Sequence, residues 1–363
     1  MSIKKKNYVQ ASVVKDIPGD YVILLGGRTN GKSYCIKEIC IEDAWNDPLH
    51  KAMALVRRYD KDCRDQPNTA YYADNDELVK RITDGQADCI IAYRHTLYFA
   101  KRVITESHEV KMQKVKKCGY CFAVSSQEHY KSLQFPEVYN IIYEEFVAES
   151  DDYLPNEVRL FQNLISTILR DRSGRIFMVG NTISRICPFY REMGIEKAIK
   201  NLKEGDINTI KYERMDGYVQ TISIYMTHAL DYSARFFTGK NVNSLKGHEY
   251  YSSEYPHLEK RLSKYEVIYT MVMKYDSNMF LMQFLKDTEN ENTFMWYVSP
   301  KNSPIQKGTR VITNSYSSDI LWTPKFNPLS EGEQTIFRYL QLGKIVYSDD
   351  LTGEEYNRCV KYL

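Results

Sequence analysis

The 363 residues are 43% hydrophobic and 26% charged, which supports real cores, excludes a disordered scaffold and suits two domains better than one. Lys and Arg total 49 against 47 for Asp and Glu, a formal charge of +2 that neither demands nor excludes a polyanionic partner. Apolar runs such as Tyr21–Leu25 are far too short to span a membrane and Met1–Lys6 lacks a signal peptide's apolar stretch, so a soluble intracellular protein without membrane contact is expected.

Eight scattered cysteines read as free thiols in a reducing compartment. The one close pair is Cys118-Gly119-Tyr120-Cys121. Zinc would need a second pair of ligands, for which His108 and His129 are poorly placed, whereas a β-hairpin turn at Gly119-Tyr120 explains the spacing without metal.

In chain order, Tyr21–Leu25 is a buried strand and Lys32–Ala44 a helix. Strand candidates follow at Lys51–Arg57, Asp88–Tyr93, Val138–Tyr143 and Arg175–Val179, the alternation expected of a parallel sheet covered by helices. Pro155 opens a helix whose Val158, Phe161, Leu164, Ile165 and Ile168 recur at helical spacing. Lys211–Tyr225 reads as a hairpin turning at Met215-Asp216-Gly217. From about Ser233 to Pro256 the composition shifts to Gly, Ser, Asn and Tyr, an interdomain linker. Three antiparallel strands are expected at Tyr265–Met273, Met279–Leu285 and Thr293–Val298. Capping boxes at Ser330–Glu333 and Thr352–Glu355 then start two helices. The boundaries are an α/β domain over 1–228, a linker over 229–262 and a small α+β domain over 263–363.

Gly26-Gly27-Arg28-Thr29-Asn30-Gly31-Lys32-Ser33 fits G-x-x-x-x-G-K-[ST] at every fixed position, with a strand before it and a helix after. Its glycines let successive N–H groups face phosphate oxygens, Lys32 reaches the β- and γ-phosphates, and the Ser33 hydroxyl holds Mg²⁺. The second nucleotide motif is Ile141-Ile142-Tyr143-Glu144-Glu145, at the end of what should be a neighbouring strand. Glu145 is the candidate catalytic base and Glu144 the metal-side carboxylate. Aspartate is usual at the metal-side position, so Glu144 must fold back to reach the same shell. The alternative is that both acids start a solvated loop with Glu149, Asp151 and Asp152.

With these motifs the sequence resembles the DNA-packaging ATPases, terminase-large-subunit-like motors, of small podoviruses with terminal-protein-linked genomes. The resemblance runs through Ser33-Tyr34, Val56-Arg57-Arg58-Tyr59, Glu145-Phe146, Tyr153-Leu154-Pro155-Asn156-Glu157-Val158, Leu169-Arg170-Asp171-Arg172, Gly180-Asn181 and Pro188-Phe189-Tyr190, in the family's order. It covers most of the first domain and is faint beyond the linker.

It implies ATP hydrolysis with Mg²⁺, coupled to moving double-stranded DNA by a homo-oligomeric ring, expected to be pentameric. The ring would act in the host cytoplasm, docked on the portal of a prohead, with a packaging RNA between them left open. Tyr34 joins the nucleotide-binding set. Arg170 corresponds to an arginine finger reaching a neighbour's ATP site, or else caps its helix together with Arg172. Asn181 corresponds to a γ-phosphate sensor, or else is a turn residue. Arg57 and Arg58 approach the nucleotide or a neighbour, or are surface-solvated. Lys131, within Gln127–Pro136, is the matching DNA-gripping lysine, with Lys111, Lys114, Lys116 and Lys117 either adding to it or forming a solvated hairpin edge. The second domain is expected to be a ribonuclease-H-type nuclease fold without the carboxylates for cutting: its first strand holds only Glu266, and Asp276, Asp287, Asp349 and Asp350 fall in loops or turns. Two other readings are a P-loop kinase acting on a small molecule and a nucleotide-binding structural protein with a decayed site.

Overall fold

A computed structural model describes residues 8–148, 152–181, 187–228, 255–258, 264–275, 278–290 and 292–361. The chain divides into two compact units, 1–183 with 198–249 and 184–197 with 250–363. The expected linker over 229–262 lies outside the described residues except for 255–258.

The elements in the first half are α1 (Ala11–Asp16), β1 (Tyr21–Gly26), α2 (Lys32–Asn46), β2 (Ala52–Arg57), α3 (Asp65–Tyr72), α4 (Asp76–Ile82), β3 (Cys89–Tyr93), β4 (Thr96–Ile104) and β5 (Val110–Ala123). Next come β6 (Val138–Glu144), α5 (Glu157–Leu169), β7 (Arg175–Asn181), α6 (Pro188–Glu192), α7 (Glu196–Asn201), β8 (Ile207–Glu213) and β9 (Val219–Met226). The rest are β10 (Tyr265–Tyr275), β11 (Asn278–Asp287), β12 (Phe294–Pro300), β13 (Arg310–Thr313), β14 (Trp322–Thr323), α8 (Glu331–Gln341), β15 (Ile345–Tyr347) and α9 (Asp350–Lys361).

The first unit is built on a nine-stranded sheet in the order β3-β4-β5-β2-β6-β7-β1-β9-β8. Strands β5, β2, β6, β7, β1 and β9 run parallel, and their apolar runs suit burial on both faces. Every residue of β1 is buried. Strand β7 stands between β1 and β6, so the two nucleotide motifs are one strand apart rather than on neighbouring strands. Cys89–Tyr93, expected in the central set, is instead an edge strand antiparallel to β4. The predicted stripe of α5 packs inward: Val158, Phe161, Leu164, Ile165 and Ile168 are all buried.

The hairpin turn expected at Gly119-Tyr120 is not there. Both residues lie within the continuous strand β5, and the turn from β4 falls at Thr105–Glu109, where the Thr105 amide donates to the Glu109 carbonyl. Gly119 serves close approach: a Cβ there would sit 2.2 Å from the Met53 carbonyl oxygen of β2. Cys118 and Cys121 are buried, and burial raises both thiols well above their ordinary range. Burial in the core accounts for these thiols.

The second unit has a six-stranded sheet in the order β14-β13-β10-β11-β12-β15. The antiparallel set β10-β11-β12 appears as expected, and β13, β14 and β15 add parallel to it. Phe337 of α8 and Tyr356 and Cys359 of α9 complete its core with Met271, Phe280 and Trp296. Ser330 caps α8 by accepting from the Glu333 amide. The cap of α9 lies three residues before the expected Thr352: Asp349 accepts from the Thr352 amide at 2.7 Å and from its hydroxyl at 2.8 Å.

Candidate nucleotide site

The phosphate-binding loop joins β1 to α2, and Gly31 adopts a left-handed conformation at the helix N-cap. The free N–H groups of the α2 N-terminus therefore open towards the loop. Lys32 is buried there, its ammonium donating to the Gly26 carbonyl at 3.0 Å, the Gly27 carbonyl at 2.6 Å and Asn30 Oδ1 at 3.1 Å. Burial lowers the Lys32 ammonium to about 7, while Glu144 works in the opposite direction. Asn181 Oδ1, at the end of β7 in register with Gly26, stands 3.5 Å from the same ammonium.

The Ser33 hydroxyl donates to Glu144 Oε2 at 3.1 Å, and the Tyr71 hydroxyl of α3 donates to Glu144 Oε1 at 2.6 Å. Burial raises the Glu144 carboxyl, against the pull of Tyr71, Arg57, Ser33 and Lys37. A serine hydroxyl beside one carboxylate is a hard-oxygen donor set that suits Mg²⁺, which favours one or two carboxylates together with substrate phosphates. Glu145, with φ of 56°, leaves the strand in a left-handed turn. It lines the same cavity, of about 1250 Å³, as Arg28, Thr29, Asn30, Gly31, Lys32, Ser33, Tyr34, Glu144 and Asn181.

Asn30 does not face that cavity with its amide nitrogen, which donates to Thr227 Oγ1 at 2.6 Å and to the His228 carbonyl at 3.1 Å. Thr227, just past β9, in turn donates to the Leu25 carbonyl from both its hydroxyl and its amide. A Cβ on Gly26 would fall 2.0 Å from Thr227 Oγ1, so the first glycine of the motif is required by this packing. Thr227 and Tyr8, whose ring lies against Gly31, were not legible as site residues.

Arg58 is not surface-solvated: its side chain is 12% exposed and its Nε donates to both carboxylate oxygens of Glu157, at 3.0 and 2.8 Å. Its Nη2 donates to the carbonyls of Glu145 and Phe146. The Arg57 guanidinium lies 4.6 Å from the Tyr71 ring centroid. Arg170 does not line the cavity in this chain. It occupies the C-cap of α5 with φ of 55°, its side chain exposed and donating to the Leu133 carbonyl. Arg172 takes the capping role instead, donating to the carbonyls of Ile168, Phe135, Pro136 and Val138.

The basic residues do not form one free stripe. Lys116 donates to the Trp45 carbonyl at 2.6 Å and lies over its ring, and Lys117 is paired with Glu137 and Tyr120. Lys114 lies 3.6 Å from the Tyr93 ring centroid. Lys131 is exposed and pairs with Glu128. Strand β5 meets β2 only over Gly119–Ala123, so Lys111, Lys114, Lys116 and Lys117 lie on the part of β5 paired with β4 alone, the hairpin edge that was one of the two expectations.

Residues 101–211 match the family of podovirus DNA encapsidation proteins (Gp16). The chain is 34% identical over 98 residues to the DNA packaging protein of Bacillus phage B103, a stretch covering 24% of this chain and 30% of that protein. It is 33% identical over 78 residues to the DNA packaging protein of Bacillus phage phi29, covering 21% and 24%. These matches thus span less than a third of the curated relatives' length. Over nearly the whole chain the fold follows a solved structure of the bacteriophage Phi-29 viral genome packaging motor assembly, with a TM-score of 0.55, 17% identity and coverage of 97% and 99%. A Phi-28 gp11 DNA packaging motor gives 0.50, 15% and 98% of each chain. The resemblance carried by the motifs is therefore borne out: the chain is similar, in sequence over its middle third and in fold over nearly all its length, to podovirus DNA-packaging proteins.

Proposed function

We propose that this chain is an ATP-driven motor that moves double-stranded DNA into a viral prohead, assembled as a ring whose active sites are shared between neighbours. One observation carries the reading. Lys32, the Ser33–Glu144 pair, Asn181 and Glu145 converge at the carboxyl ends of β1, β7 and β6 around a single cavity, the place where open α/β sheets bind ligands.

In this reading the loop amides and Lys32 hold the β- and γ-phosphates. Ser33 and Glu144 would hold Mg²⁺, which would supply neutralisation of the phosphate charge. Glu145 orients the attacking water and accepts its proton. Asn181, beside Lys32, reports whether the γ-phosphate is present. Arg170, exposed at the C-cap of α5, serves the site of the adjacent subunit. Its neighbour Arg172 already caps the helix, which leaves the Arg170 cation for that work. Lys131 and Lys114 remain the candidate DNA contacts, whereas Lys116 and Lys117 are engaged within the fold.

For the second unit we propose a ribonuclease-H-type module that docks and binds nucleic acid without cutting it. Its order β12-β11-β10-β13-β14, antiparallel through β10 and parallel beyond, supports that fold type. Two of its described acids have structural work, Glu333 pairing with Arg310 and Asp287 accepting from the amides of Glu289 and Asn290, while Asp276 lies outside the described residues. The domain limits proposed are 1–228 for the motor and 263–363 for this module. The partners are double-stranded DNA, the portal and, between them, a packaging RNA where the phage has one.

The test is steady-state ATP hydrolysis against protein concentration, with and without double-stranded DNA, alongside Arg170→Ala. Turnover that rises with concentration and DNA and is lost in the variant supports the shared-site motor. Turnover indifferent to all three points to a self-contained site such as a kinase's and overturns it.

A further inference from the structure

The metal-side carboxylate poses a steric problem. Glu144 has one more methylene, and one more torsion, than the aspartate usual there. The structure holds this longer side chain from both ends of its carboxylate, by Ser33 on Oε2 and by Tyr71 on Oε1. Tyr71 belongs to no nucleotide motif and comes from α3, 73 residues away in sequence.

Tyr71 is itself firmly placed. Its carbonyl accepts from the Lys37 ammonium at 2.8 Å, and that ammonium also bonds Asp74 at 2.7 Å. Lys37 is buried and lies one helical turn beyond Ser33 on α2, so the residue that anchors Tyr71 and the residue that shares Glu144 sit on one helix face. The Tyr71 ring is flanked by two cations, the Lys37 ammonium at 4.5 Å and the Arg57 guanidinium at 4.6 Å from its centroid. It also meets Tyr72 edge-on at 4.9 Å. A phenol fixed on three sides leaves its hydroxyl little freedom but to meet the carboxylate.

We propose that Tyr71 is a positioning residue that lets a glutamate do the work of the shorter acid, holding Glu144 in the orientation in which its remaining lone pairs serve Mg²⁺. The proposal rests on the reading of Ser33 and Glu144 as the metal side of the site. An ionised carboxylate has about four acceptor sites. The two hydrogen bonds take two of them, one on each oxygen, and leave the others for metal or its bound water. A partner of a metal-ligating carboxylate contributes by orientation rather than by contact with the ion.

The test measures binding of a fluorescent ATP analogue to the full chain in excess Mg²⁺ and in EDTA, together with the Mg²⁺ concentration giving half the increment. Removing the hydroxyl by Tyr71→Phe is expected to weaken apparent Mg²⁺ affinity by about 10- to 100-fold, leaving the affinity in EDTA unchanged. The same substitution in a Glu144→Asp background, where the carboxylate no longer reaches the phenol, is expected to add nothing further. Equal losses with Mg²⁺ and with EDTA would mean general damage to the site and overturn the proposal, as would a Tyr71→Phe chain that keeps the wild-type Mg²⁺ requirement. A wild-type chain whose nucleotide binding ignores Mg²⁺ sinks the metal-side reading itself. A requirement abolished by Glu144→Ala but untouched by Tyr71→Phe sinks only the role of the tyrosine.

Discussion

The Arg58 guanidinium and the Glu157 carboxylate form a buried pair that ties the first residue of α5 to the segment carrying Glu145. Glu157, 1% exposed, also accepts from the Tyr143 hydroxyl and the Leu154 amide, so its charge is fully compensated. Arg58 Nη2 donates to the carbonyls of Glu145 and Phe146, at the point where Glu145 takes up a left-handed backbone conformation. Removing one member of such a pair leaves the other charged and uncompensated. Glu157→Ala is therefore expected to destabilise the first unit by about 3–5 kcal/mol, read from denaturant unfolding. An unfolding midpoint within error of wild type would contradict the burial assigned here.

The two arginines after α5 should separate cleanly in experiment. Arg172→Ala frees four carbonyl acceptors around the helix end and is expected to cost about 1–3 kcal/mol of stability. Arg170→Ala removes one bond from an exposed side chain and should stay within about 0.5 kcal/mol of wild type. Turnover should follow the opposite order, with Arg170→Ala lowering it about 1,000-fold or more in the assembled state. Thermal unfolding and hydrolysis on the same two preparations decide the matter. Parallel losses in both quantities for both variants would return Arg170 to a capping role.

The phosphate-binding loop offers a third prediction. Its closure depends on Asn30 bonding Thr227, whose hydroxyl also reaches the Leu25 carbonyl. Thr227→Val keeps the shape but leaves a buried amide donor with one partner fewer, and should cost about 1–3 kcal/mol in loop order, seen as weaker ATP binding. Gly26→Ala should be worse, because φ of 150° is unfavourable for alanine and its Cβ would lie 2.0 Å from the same hydroxyl. Isothermal titration of both variants checks the order. Equal affinity for wild type and Thr227→Val would show that the threonine is a bystander.

How much of this was legible in the sequence depended on how local the cause was. The phosphate loop, the run Ile141–Glu145 and the stripe of α5 could be read because the determining residues are adjacent or at helical spacing. Gly119 misled because glycine serves turns and close backbone approach alike, and only the pairing of β5 with β2 shows which is meant. The true turn at Thr105–Glu109 has no glycine or proline to announce it. Tyr71 and Thr227 meet partners 73 and 197 residues away, so nothing in their immediate surroundings could mark them. The choice for Arg58 between a nucleotide or subunit contact and solvation stayed open because the acid that buries it lies 99 residues further on.

Stability of the second unit should depend on pH through Asp349. Asp349 precedes α9 and caps it, accepting from the Thr352 amide and from the hydroxyls of Thr352 and Ser348. Desolvation raises its carboxyl, but these hydrogen bonds outweigh that and hold it below the usual range. A carboxyl whose folded-state value is depressed contributes stability that is complete above its unfolded value, about 3.9, and is lost as pH falls through the folded value. Asp349→Ala should therefore cost about 1 kcal/mol near neutrality. Asp349→Asn keeps a capping oxygen but no charge, so it should differ from wild type at pH 7 and converge with it as pH falls through the folded value. Urea unfolding followed from neutrality into acid reads this directly. A wild-type advantage over the asparagine variant that stays constant into acid would mean the carboxylate charge plays no part, and the cap works by geometry alone.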